Sequence, residues 1–255
     1  MAKNNETTAP VAAIKALVTS GGVTDVGKTT ISKHIASLLK KRGRDAVHIG
    51  VEMDHKKIDG EDRRIGFDYD DIVALNTELV ASSKDIVIDV GGENFNPLAD
   101  KMAELGDGLI RRFTHVVVPI TDDVKEENIV STIENLVNRG LPAEKIYLVF
   151  NKVVPSLKTK IYKTFASAIL EVKEMGVNVV DVPVMRSELI AEKRGLEPIF
   201  DVNTDADTLE AEAKAAVAAG DSVRAEQLAQ KVIEADMAKM AASNIEAVLR
   251  SIFKI

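Results

Sequence analysis

The stretch ALVTSGGVTDVGKTTISKHIASLLKKRG, residues 16–43, decides how the chain is read. Its centre fits the phosphate-loop pattern G-x-x-x-x-G-K-[ST], with Gly22, four intervening residues, then Gly27, Lys28 and Thr29. By itself such a match is a glycine-rich turn; its flanks give it meaning. Ahead of it, Ile14, Ala16, Leu17 and Val18 form a short apolar run suited to a buried parallel strand. Behind it, Ile31, Ile35, Leu38 and Leu39 fall at helical spacing, and KKRGR closes that helix with positive charge and Gly43. Strand, glycine loop and helix are the setting in which the pattern holds phosphate.

Each position has an expected task. Gly22 and Gly27 permit backbone angles that turn several N–H groups toward phosphate oxygens. The loop interior, Val23, Thr24, Asp25 and Val26, supplies that backbone, and Thr30 continues it into the helix, whose N-terminus adds partial positive charge. Lys28 is expected to reach the β- and γ-phosphates and the Thr29 hydroxyl to bind Mg²⁺. The segment is read as a nucleoside triphosphate site.

Composition agrees with a soluble, cytoplasmic protein. The 255 residues are 45% hydrophobic and 29% charged, enough for one sizeable α/β core and an appendage. No apolar run approaches the roughly 18 residues of a membrane span. Residues 1–12 lack the apolar core of a signal peptide and read as a disordered N-terminus. The absence of cysteine excludes disulfides, thiolate metal sites and cysteine catalysis. A net charge of −7 argues against a surface dedicated to coating nucleic acid.

Five further apolar, β-branched runs follow: 45–52, 84–90, 114–120, 145–151 and 177–184, alternating with helical stretches at about 69–82, 96–110, 124–139 and 157–175. The alternation predicts βαβ units in an α/β fold, a doubly wound, mostly parallel sheet with helices on both faces. In such sheets ligands bind outside the carboxyl ends of the strands. The second strand ends in VEMDHKK, so Glu52 and Asp54 point the same way on an extended chain. Taken alone they read first as two solvated carboxylates in a charged loop, and otherwise as a pair that holds metal-bound water and orients the attacking water. The third strand ends in IVIDVGG, where Asp89 follows four apolar residues and a buried carboxylate needs a metal or strong donors. Gly91 and Gly92 then allow the next loop to approach the terminal phosphate.

These segments, with VVVPITDDVKEENIVSTIENL and VFNKV, stand in the order seen in ParA/MinD-like P-loop ATPases, which the chain resembles over roughly residues 14–200. Within that branch it is most similar to StbB-type plasmid stability proteins. The resemblance implies ATP and Mg²⁺ as cofactors. It implies that Lys28 and Thr29 bind phosphate and metal, that Glu52 and Asp89 support the metal, and that Asp54 positions the attacking water. It also implies that Asn151, beside Lys152, contacts adenine, and that the loop from Pro183 and Val184 closes over the base. On its own Asn151 reads as a turn residue ending a strand. The implied function is an ATP-driven switch in plasmid or DNA partition, with a nucleotide-dependent homodimer, a DNA-binding adaptor protein as partner and at most weak direct DNA contact.

One feature departs from that family. ParA-like loops carry a second lysine early in the cradle; here the position is Val23, and no lysine lies between residues 20 and 27. Slow hydrolysis without a partner is therefore expected. The interior VTDV also resembles dethiobiotin synthetase, an ATP-dependent ligase, but that family expects Lys-Pro after the second strand, where this chain has EMDHKK. A scaffold that binds ATP and hardly hydrolyses it is a third reading.

The ATPase domain is expected over 13–202 and a C-terminal helical extension over 203–255. The extension is rich in Ala, Glu and Lys, breaks at AGD, and has Asp221 placed to cap its second helix. Near its end, Ile245, Val248, Leu249, Ile252 and Phe253 make one apolar stripe, expected to pack on protein rather than lipid. None of His34, His48, His55 and His115 pairs with another at metal-ligand spacing, so all four are read as structural or solvated.

Overall fold

The apolar runs become the strands of one twisted sheet in the computed structural model, which describes residues 12–52, 61–106, 108–192, 198–202 and 205–255. The strands are β1 (Lys15–Val18), β2 (Ala46–Val51), β3 (Arg63–Ile65), β4 (Asp85–Val90), β5 (His115–Ile120), β6 (Ile146–Phe150) and β7 (Asn178–Val179). Their spatial order is β3-β2-β4-β1-β5-β6-β7. Every pairing among them is parallel, as alternating strands and helices require.

Because successive side chains on a strand point to opposite faces, the sheet builds two cores. Leu17, Ile86, Ile88, Val116 and Val118 face one layer, formed by α2 (Tyr69–Ala81), α3 (Phe95–Leu105), α4 (Glu126–Asn138), α5 (Ile161–Thr164) and α6 (Ala166–Glu174). Ala16, Val18, Val87, Val117 and Val149 face the other, formed by α1 (Lys28–Lys41) and the C-terminal end of α9 (Ser222–Phe253). Between β7 and α9 come α7 (Glu188–Glu192) and α8 (Ala206–Ala218), with a 3₁₀ turn at Ile199–Asp201 packed on α1.

Several elements differ from the sequence expectation. β3 is an additional edge strand of three residues, two of them arginine. The run at 177–184 supplies only two strand residues: the chain bends at Asp181 and Val182, and pairing with the end of β6 resumes only at Val184 and Met185. The helix expected over 157–175 is instead a 3₁₀ turn at Pro155–Leu157, then α5 and α6, which break at Phe165. α8 and α9 form the expected hairpin, and the Asp221 carboxylate accepts from the Arg224 N–H at 3.0 Å. The stripe from Ile245 to Phe253 is buried against the sheet and α1. Among the described residues no helix is long and apolar enough to cross a membrane. Of the expected N-terminal segment 1–12, residues 1–11 lie outside those described.

Candidate nucleotide site

β1 lies at the switch point of the sheet, flanked by β4 and β5, where connections leave toward opposite edges. Its last residue, Val18, is in register with Asp89 on one side and Val117 on the other. The glycine loop leaves this strand end and returns as α1, with Gly27 at the N-cap in the left-handed region (φ 81°). No side chain caps the helix, so its first N–H groups face the loop.

The loop is braced from three sides. The Ser20 hydroxyl donates to the Val23 carbonyl, and the Lys28 amine donates to the same carbonyl at 3.2 Å. Gly22 (φ 119°), Thr24 and Asp25 form the exposed part, while Val26 is buried as an anchor. The turn after β4 comes so close that a Cβ on Gly92 would lie 2.9 Å from the Val23 carbonyl and 3.2 Å from Gly22. Burial holds the Lys28 amine below its ordinary pKa, opposed by the nearby charges of Asp89, Asp25 and Glu52.

Beneath the loop, Thr29 hydrogen-bonds Asp89, a buried carboxyl whose pKa burial raises. Among the described residues Asp89 Oδ1 has no partner. Behind Thr29, the Ser32 hydroxyl donates to the Thr29 carbonyl at 3.0 Å and lies 3.0 Å from His48 Nε2. Glu52 is tied instead to Arg64, whose Nη1 lies 2.7 Å from Glu52 Oε2. The other arm of the same guanidinium grips Glu61 at 2.8 and 3.0 Å. Glu61 and Arg64 are both deeply buried and escaped the sequence reading; adjacent charges in a short polar segment offered no signal. Asp54 and His55 lie outside the described residues, among which no trio of His, Asp and Glu gathers at metal-holding distance.

At the end of β6, the Asn151 side chain donates to the Val26 carbonyl at 2.7 Å, and Lys152 (φ 57°) donates to the Asp25 carbonyl at 2.5 Å. Both therefore support the phosphate loop from the side where the resemblance puts the base. Val184 joins them through backbone bonds to Phe150 (2.8 Å) and Val153 (3.1 Å), with Pro183 buried beside it. From here a cavity of about 1020 Å³ runs past Asp25 and Thr30 to an apolar inner end lined by Val117, Val149 and the α9 stripe. His34 borders that end. Its Nδ1 donates to the Thr30 carbonyl, its Nε2 accepts from the Ile199 N–H at 3.1 Å, and burial lowers its pKa to about 4. The ring is a neutral structural pin between α1 and the 199–201 turn.

A family model described as the CobQ/CobB/MinD/ParA nucleotide binding domain matches residues 17–199. The chain belongs to this family. The CobQ/CobB/MinD/ParA match takes in the loop, Asp89, Asn151 and Pro183, and ends before α8 and α9. Solved structures of this fold include the MinC:MinD cell division protein complex of Aquifex aeolicus, at 13% identity and TM-score 0.50 over 73% of this chain and 88% of that one. MinD of the same organism gives 14% and 0.50 over 73% and 89%. A Cyanothece McdA–ATP complex gives 14% and 0.45 over 72% and 89%. No curated protein matches the sequence.

Proposed function

We propose that the chain is a slow ATPase switch that binds ATP with Mg²⁺ and acts in plasmid or DNA partition through an adaptor protein, as StbB-type proteins are expected to. The observation that carries the cofactor reading is Asp89: a buried carboxyl with one oxygen unpartnered, hydrogen-bonded to the Thr29 hydroxyl at the mouth of a phosphate loop. Burying such a group is costly unless a cation or its bound water completes it. Thr29 and Asp89 would hold Mg²⁺, with Glu52 in support, and the metal would neutralise charge on the β- and γ-phosphates.

The chain's own groups divide the remaining work. Lys28, whose amine donates to the Val23 carbonyl at 3.2 Å, would exchange that partner for a phosphate oxygen. The backbone of Val23–Thr30 cradles the phosphates, Asn151 and Lys152 hold that backbone in place, and Pro183 with Val184 bounds the base. Asp54 orients the attacking water in this reading. With Val23 in place of the second lysine of ParA-like loops, no loop lysine is there to reach across to a partner's phosphates, which supports slow turnover in a nucleotide-dependent homodimer.

Steady-state ATP hydrolysis measured alone, with DNA and with candidate adaptors, beside light scattering with and without ATP, tests this. Turnover that rises with an adaptor and a mass that doubles with ATP are expected, and Asp54→Ala should bind ATP while losing about 10²-fold in turnover. ATP consumption that appears only with a small carboxylic or amine substrate would replace the switch with a ligase.

A further inference from the structure

Beyond β7 the chain bends at Asp181 and Val182 and has to be held again at residues 183–186. On the β6 side the backbone does this: the Val184 N–H donates to Phe150, the Val153 N–H to Val184 and the Arg186 N–H to Val153, at 2.8, 3.1 and 2.9 Å. On the opposite side two polar groups remain, the Pro183 carbonyl and the Met185 N–H. One side chain takes both. Asn244 Nδ2 donates to the Pro183 carbonyl at 3.0 Å, and Asn244 Oδ1 accepts from the Met185 N–H at 2.8 Å.

A carboxamide carries the same donor and acceptor as a peptide unit, so Asn244 acts here as one residue of a further strand. The pairing fixes the amide's orientation, since a flipped group would meet a donor with a donor and an acceptor with an acceptor. Asparagine is a poor residue for a helix interior, and this one sits within α9 immediately before Ile245. Ile245, Val248 and Leu249 line the same cavity as Val184, Met185 and Arg186. A helix outside the family-matched segment thus fixes the loop that bounds the base end of the site.

We propose that Asn244 is a positioning residue for the nucleobase: it holds residues 183–187 in the conformation that walls the base, so base affinity and base selection depend on α9. The proposal rests on the nucleotide reading above and deepens it. Two hydrogen bonds that pre-organise a loop are together worth on the order of tenfold in binding.

The test uses the full chain with ATP, GTP and inorganic tripolyphosphate, each with Mg²⁺, in displacement of a fluorescent nucleotide. Asn244→Ala is expected to weaken ATP about tenfold and to shrink the ratio of ATP to GTP affinity by a similar factor. Tripolyphosphate, which has no base, should bind as before. A residue that merely supports the fold would move ATP and tripolyphosphate together, or neither, and either result overturns the proposal. Should the variant fail to fold, amide exchange at Met185 in the wild-type chain decides: slowed further by ATP but not by tripolyphosphate if the proposal holds, equal with both if it does not. Wild-type protein that binds neither ligand would overturn the nucleotide reading itself, whereas wild-type binding with an indifferent Asn244→Ala overturns only the role of Asn244.

Discussion

The Asn151 side-chain nitrogen donates to the Val26 carbonyl at 2.7 Å, joining the end of β6 to a loop 125 residues earlier. That bond occupies the space beside Gly27. A Cβ on Gly27 would stand 2.4 Å from the same nitrogen, and the backbone there has φ 81°.

Gly27→Ala therefore suffers twice, from a left-handed backbone that costs about 1–2 kcal/mol in an L-residue and from a collision that displaces Asn151. The expected result is a folded protein whose ATP affinity falls at least about tenfold, measured by calorimetry. Unchanged affinity would show that the loop tolerates a different path.

Asp89 should separate stability from metal use. Its carboxyl is buried with one oxygen unpartnered, so removing the charge relieves a cost that the fold bears without a cation. Asp89→Asn is expected to match or exceed the wild-type Tm in the absence of nucleotide. It should also erase the gain in ATP affinity on adding Mg²⁺. A lower Tm together with intact Mg²⁺ dependence would make Asp89 structural.

Arg64 and Glu61 form a pair whose side chains are 4% and 1% exposed, and Arg64 also holds Glu52. Arg64→Ala strands a buried carboxylate, which costs about 3–5 kcal/mol. Adding Glu61→Gln should recover more than half of that loss in urea denaturation. Additive losses in the double variant would mean that the two do not act as a pair.

The parts of this molecule governed by local pattern were legible in its sequence. The phosphate loop, its strand and its helix follow from Gly22, Gly27, Lys28 and the apolar residues around them, and the α8–α9 hairpin follows from Asp221 and the composition beside it. β3 was not legible, since Arg63 and Arg64 look like a solvated loop; charge on a short edge strand is also how sheets avoid further pairing. Asn244 could have been noticed as a helix-disfavoured amide next to an apolar stripe. Its partners, Pro183 and Met185, lie about sixty residues away and only the fold brings them together. Thr29 and Asp89 meet for a similar reason: the parallel register sets Val18 beside Asp89.

His34 gives the fold a pH dependence of definite sign. Burial depresses its pKa from 6.5 to about 4, against the opposing pull of the Thr30 carbonyl and the Asp201 charge. The unfolded chain thus binds a proton between those values and the folded chain does not. The stabilisation is fully present above about pH 6.5 and is lost as pH falls toward 4, a loss on the order of 3 kcal/mol. Urea midpoints taken between pH 7 and 4.5 should fall more steeply for wild type than for His34→Gln. Parallel curves would assign the pH dependence to other groups.

The last prediction concerns the end of α9. Ile245, Val248, Leu249, Ile252 and Phe253 are all buried on the sheet face beside α1, with Phe253 against the His115 ring at 4.8 Å between centroids. Five such side chains contribute about 10 kcal/mol of gross hydrophobic stabilisation before ordering costs. Leu249 is 2% exposed, so Leu249→Ala should cost about 2–5 kcal/mol, read as a lowered urea midpoint. Deleting residues 243–255 should unfold the domain or leave it aggregation-prone, because Val117 and Val149 would lose their cover. The exposed rim points the same way: Glu246 is paired with Arg42, just past the end of α1, and with Arg250, which keeps the nearby positive charge within the protein. A stripe committed in this manner is not available to lipid. Anionic vesicles should therefore fail to sediment the intact chain, and co-sedimentation that disappears on deleting the tail would reverse the assignment of this stripe to the core.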